Sequence, residues 1–95
     1  MVITVKKLET DIQGKIKTYL KLKGAWVTKI IAASQSGVPD ILCCYKGLFI
    51  AFEVKQPGKQ PTELQRMNIN KIWEAGGCAY SVNSLTEVKD IIESL

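Results

Sequence analysis

The segment 40–55 constrains this chain more than any other. Residues 40–45 and 48–55 are short, mostly apolar runs, and Lys46-Gly47 between them is a turn signal. A two-residue turn there makes a β-hairpin in which the numbers of directly opposed residues total 93. A four-residue loop over 45–48 keeps that register, whereas a bulge would shift it. Asp40 then lies across from Glu53, with Cβ atoms ~4.5–5.5 Å apart. Lys55, two residues beyond Glu53, projects from the same face. Leu48, Ile50, Phe52 and Val54 make the opposite face uniformly apolar and assign it to a core. Two like charges placed in this way destabilise a sheet, so the pair requires a cation. Two carboxylates at that separation can hold a hard divalent ion such as Mg2+. The plainer alternative is a surface ladder, with Lys55 bridging Asp40 and Glu53.

The rest of the chain supplies elements to pack around the hairpin. Leu8, Ile12, Ile16, Tyr19 and Leu20 recur at helical spacing and predict a helix over about 8–23, stopped by Gly24. Residues 26–32 read as a strand, broken by Ser34-Gln35-Ser36-Gly37 and Pro39. Residues 56–61, with Pro57, Gly58 and Pro61, form a loop. Thr62 caps a helix over about 63–75 that ends at Gly76-Gly77. Residues 78–82 are a last strand, and Ser84-Leu85-Thr86-Glu87 opens a final helix with Leu85, Val88, Ile92 and Leu95 inward. The expected fold is a single α/β domain over 1–95: a mixed β-sheet flanked by helices in the order α-β-β-β-α-β-α.

Composition narrows the chemistry. The 95 residues include no histidine, which removes imidazole general bases, Ser-His-Asp and Cys-His nucleophiles, and His-ligated zinc. Cys43, Cys44 and Cys78 show no C-x-x-C spacing and read as reduced thiols of a cytoplasmic protein. No apolar run is long enough to span a bilayer. Residues 1–60 hold ten lysines against four acids (Glu9, Asp11, Asp40, Glu53), a balance of +6, whereas residues 61–95 hold three bases against five acids, a balance of −2. A basic half suggests a polyanion, most simply nucleic acid.

Two polar residues fall on helix faces that should be apolar. Counting 100° per residue, Glu9 lies between Ile16 and Leu20 on the first helix's stripe, while Asp11 points away. Gln65 lies at the centre of the stripe made by Ile69, Ile72 and Trp73. Taken singly, each is most simply a residue at the edge of its stripe or in a terminal turn. Together they turn polar groups toward a sheet that already carries three.

These residues resemble a known pattern. Pro39-Asp40, followed after twelve residues by Glu53-Val54-Lys55, is similar to the PD-(D/E)XK nuclease signature on a restriction-endonuclease-like core. More narrowly, Glu9-x-x-Ile12-Gln13, Gly37-x-Pro39-Asp40-Ile41, Glu53-Val54-Lys55 and Gln65 resemble the VRR-NUC family, whose members include phage-type stand-alone nucleases and domains of repair enzymes. The resemblance implies Mg2+- or Mn2+-dependent hydrolysis of DNA phosphodiesters, often at branched structures. Its short stand-alone members are similar to Holliday junction resolvases that act as homodimers. By position, it implies that Asp40, Glu53 and the Val54 carbonyl ligate the metal. Lys55 would be the catalytic lysine, Glu9 an acid near the metal, and Gln65 a supporting residue. Ser34-Gln35-Ser36 departs from a strongly basic DNA contact.

The resulting expectation is a metal-dependent endonuclease acting on branched DNA, in the host cytoplasm if phage-encoded. Lys59 is the first choice for DNA contact, joined by Lys6, Lys7, Lys29 and Ser36. The rivals are a restriction-like or nicking nuclease on duplex DNA and a non-catalytic DNA-binding module.

Overall fold

The computed structural model of the chain describes residues 4–95 and, within the first helix, all side chains except those of residues 5 and 6. The elements are α1 (Val5–Leu22), β1 (Trp26–Lys29), β2 (Ile41–Tyr45), β3 (Leu48–Val54), α2 (Glu63–Glu74), β4 (Cys78–Val82) and α3 (Leu85–Glu93). The α-β-β-β-α-β-α order matches the sequence expectation. α1 begins earlier than its apolar periodicity does, because Thr4 supplies an N-cap whose hydroxyl accepts from the Lys7 amide at 3.2 Å. β1 is shorter than expected. Its pairing reaches one residue further, where Ile30 N donates to Asp40 O at 2.8 Å.

The sheet runs β1-β2-β3-β4; the first three strands are antiparallel, and β4 lies parallel to β3 across the α2 connection. β2 and β3 pair from Ile41↔Phe52 to Tyr45↔Leu48, so opposed residues total 93 as expected. The turn is tight: Lys46 at φ 52° and Gly47 at φ 78° are both left-handed, as a type I′ hairpin requires.

Strand alternation splits the sheet into two unlike faces. On the first, Ile41, Cys43, Ile50, Phe52, Val54 and Val82 meet Ile16 and Leu20 of α1 and Val88 and Ile92 of α3 in one buried cluster. The second carries Thr28, Leu42, Ala51 and Ala79 in one row and Trp26, Cys44 and Phe49 in the next. Trp26 and Phe49 remain 65% and 46% exposed. α2 does not cover that face fully. It packs along the edge strand β4, where Trp73 Nε1 donates to Ala79 O at 2.7 Å and the indole meets Tyr80 edge-on. No α2 residue is therefore fully buried, which corrects the expectation of a buried Ile69-Ile72-Trp73 stripe. Leu95 is likewise exposed, because α3 ends at Glu93 before the chain can turn it inward. All three cysteines are free thiols.

Candidate active site

The site forms where β2 begins and β3 ends. Continuing the hairpin register by one residue places Asp40 opposite Glu53, and β4 pairs Glu53 with Ser81. Asp40, Glu53 and Ser81 thus make the last row of the second face, with strands ~4.8 Å apart. Three successive amides at the exit of β3 are gripped from three directions. Val54 N donates to Asp40 Oδ2 at 2.8 Å, Lys55 N to Val82 O at 2.9 Å, and Gln56 N to Glu9 Oε2 at 3.2 Å. An acid from the start of β2 and an acid from α1 are drawn to the same strand end by hydrogen bonds to its backbone. The apolar stripe of α1 orients Glu9 this way: the helix must turn Ile16 and Leu20 to the core, and Glu9 lies on that side, whereas Asp11 is exposed.

Glu53 is only 2% exposed, and its Oε1 is buried without a hydrogen-bond partner. This excludes a surface salt-bridge ladder at the hairpin. Burial above all pushes the Glu53 carboxyl up to about 9. Hydrogen bonding with Asp40 and the charge of Asp40 add to the rise, Lys55 offsets part of it, and Glu9 contributes a little more. Without a cation, the pair therefore holds a proton at neutral pH. A buried acid with an orphaned oxygen beside a half-buried one is an arrangement that a divalent cation would satisfy, displacing the proton as it binds.

The residues singled out in the sequence are not all brought together. Asp40, Glu53, Lys55 and Glu9 converge. Among the described residues, however, no three His, Cys, Asp or Glu side chains form a metal-ligating cluster. Glu9 Oε2 accepts from Gln56 N, while Asp40 and Glu53 lie directly across the hairpin from each other. Gln65 closes the capping box of α2: its Oε1 accepts from Thr62 N at 2.8 Å, and its own amide donates to Thr62 Oγ1 at 3.2 Å. The T-x-x-Q spacing at 62–65 carried that signal. Ser36 is exposed and uses its carbonyl to accept from Asn68. Lys59 is exposed in the loop after β3, and Lys7 is exposed in the first turn of α1. Lys29 pairs with Ile41 and so belongs to the face opposite the acids. Lys6 lies outside the described side chains.

Two further residues were not assigned a role from the sequence. Asn68 is a polar residue among Leu64 and Ile72 on α2, and the reasoning applied to Gln65 would have found it. Gln13, one turn after Glu9, is 7% exposed with its Oε1 unpartnered. A concavity of about 760 Å³ lies elsewhere, between α1 and α3 beside Tyr19, Leu85 and Lys89, and none of the converging acids lines it. Among the described residues, no helix is long and apolar enough to cross a membrane.

Known proteins share this fold. A solved structure described as a VRR_NUC domain superposes with a TM-score of 0.80 at 26% identity, covering 90% of this chain and 95% of that one. A second, described as a VRR_NUC domain protein, gives a TM-score of 0.76 at 15% identity over 99% of this chain and 89% of that one, and shares the fold. No curated protein matches the sequence significantly. The sequence profile of the archaeal Holliday junction resolvase (Hjc) family matches residues 6–81, and with four-fifths of its length matched the chain belongs to that family.

Proposed function

We propose that this protein is a divalent-metal-dependent endonuclease that hydrolyses phosphodiesters of branched DNA, with Holliday junctions as the favoured substrate. One observation carries the reading: the carboxyl pair Asp40 and Glu53, of which Glu53 is buried with its Oε1 unsatisfied and Asp40 half-buried, at the end of a strand that continues into Lys55. Asp40 and Glu53 would hold Mg2+ or Mn2+ together with the Val54 carbonyl, and Glu9 stands beside them. When bound, such an ion acts as a Lewis acid toward the scissile phosphate and makes water a stronger nucleophile. The residues around it do the remaining work. Lys55 neutralises charge that builds on the phosphate during attack. The bond from Val54 N fixes Asp40 at one height relative to Glu53. Glu9 tethers the exit of the strand through Gln56. Lysines of the basic half gather the phosphates, with Lys59 nearest in sequence to the catalytic strand.

A homodimer belongs to this reading, because a junction presents paired strands and a two-fold assembly presents paired sites. The exposed row of Trp26, Cys44 and Phe49 provides uncharged surface that an assembly would cover. A restriction-like or nicking nuclease would use the same catalytic groups and differ only in the DNA it prefers.

The test incubates purified protein with labelled four-way junction, flap, nicked and linear duplex of equal length, each with Mg2+, Mn2+ or EDTA. Metal-dependent cutting of the junction well above that of linear duplex is expected. Equal rates on all substrates would remove the structure selectivity, and no cutting with either ion would remove the enzyme.

A further inference from the structure

We infer that Asn68 is a positioning residue for Asp40, fastening the loop that delivers this acid to the side of α2. The inference rests on the metal-nuclease reading above and assigns a role to a helix otherwise packed only along the sheet edge. Asn68 Nδ2 donates to Ser36 O at 3.1 Å and to its own helix at Leu64 O, also at 3.1 Å. One amide therefore ties the loop to the helix. The next residue, Gly37, has φ +78° and sits so close to α2 that a Cβ would lie 2.8 Å from Leu64 Cγ and 2.9 Å from Asn68 Nδ2. Only glycine combines that backbone conformation with that approach. Val38 and the buried Pro39 then lead directly into Asp40.

Asp40 is consequently held on three sides. Its carbonyl accepts from Ile30 N at the end of β1, and its carboxylate accepts from Val54 N in β3. The loop residues just before it are clamped to α2. The same helix is joined to Glu53 and Lys55 through the short connection 55–62. α2 thus brackets both acids, one through the chain and the other through Asn68. Metal ligands must keep their geometry to within about 0.5 Å, so a tether at Ser36, four residues away across the Gly37-Val38-Pro39 segment, is felt at the carboxylate. The Ser36–Asn68 bond lies near the surface and adds little to global stability, so its loss should appear mainly in ion affinity.

The test compares the intact chain with Asn68→Leu, which keeps the volume without the donor, Asn68→Gln, which keeps a donor, and Gly37→Ala. Mn2+ affinity is titrated calorimetrically, melting is followed in EDTA, and junction cleavage is measured at saturating Mn2+. Asn68→Leu is expected to weaken Mn2+ binding roughly three- to tenfold, the range of one neutral hydrogen bond. Its melting temperature in EDTA should stay within about 3 °C of wild type, and its cleavage at saturating Mn2+ within about threefold. Asn68→Gln should recover part of the affinity, and Gly37→Ala should lose on the order of tenfold or more. Should Gly37→Ala fail to fold, the Asn68 pair decides. Unchanged Mn2+ affinity in Asn68→Leu, with or without a lower melting temperature, overturns the positioning role. If wild type itself binds no Mn2+, the metal reading has failed first and this inference falls with it.

Discussion

Phe52 and Glu53 are neighbours in β3 and almost equally hidden, yet they serve opposite faces of one sheet. The face of Phe52 is closed by α1 and α3, and each side chain in its cluster finds apolar neighbours. The face of Glu53 is only partly covered by α2; it ends in an acid pair and leaves a carboxylate oxygen without a partner. Burial stabilises the first residue and penalises the second by the same loss of water. The contrast shows where burial adds stability to this sheet and where it costs stability.

The sharpest way to break the comparison is to remove one member of each face. Asp40→Ala should lower metal-dependent cleavage on the order of 10³-fold or more, while DNA binding persists in a gel-shift assay. A variant that loses binding and cutting together would mean that the acid row supports the fold, as the opposite face does. Phe52→Ala should instead cost about 3–4 kcal/mol in urea unfolding, a large share of what so small a domain has.

The two faces should also respond to pH differently. Glu53 titrates near 9 in the folded chain against an ordinary value of 4.5, so the folded state holds a proton that the unfolded state has released. Stability of the metal-free protein should be greatest below about pH 4.5 on this account and fall as pH rises toward 9. Thermal melts in EDTA should show the melting temperature falling across that window, a trend flattened in Glu53→Gln. With Mn2+ present the trend should reverse, because ion binding displaces the proton and strengthens with pH. A wild-type melt independent of pH in EDTA would mean that Glu53 is not the strained group described. The smallest effect belongs to the basic surface. Lys59→Ala should weaken junction binding roughly two- to threefold and reduce the salt slope by about one.

Much of this was legible in the chain because its signals are local. The turn at Lys46-Gly47 sets the register, and the register places Asp40 against Glu53 without any tertiary information. Thr62 and Ser84 mark helix starts through their own hydroxyls. Gln65 shows the limit of that reading. Periodicity puts it on the apolar stripe of α2, but the structure spends its side chain on Thr62, three residues away. Lys29 was grouped with the DNA-binding lysines by charge alone, and strand alternation then sent it to the other face.

The sequence by itself determined the order of elements, the hairpin register and the shared face of the two acids, since each depends on residues a few positions apart. Only the tertiary structure decided that Glu53 would be buried with an empty-handed oxygen, that Glu9 would bind Gln56 N across 47 positions, and that Asn68 would reach Ser36 across 32. Those outcomes follow from how helices settle on a sheet. Where α2 comes to rest depends on small residues such as Ala79 and Gly37 and on the indole of Trp73, and that balance of packing leaves no pattern in the sequence.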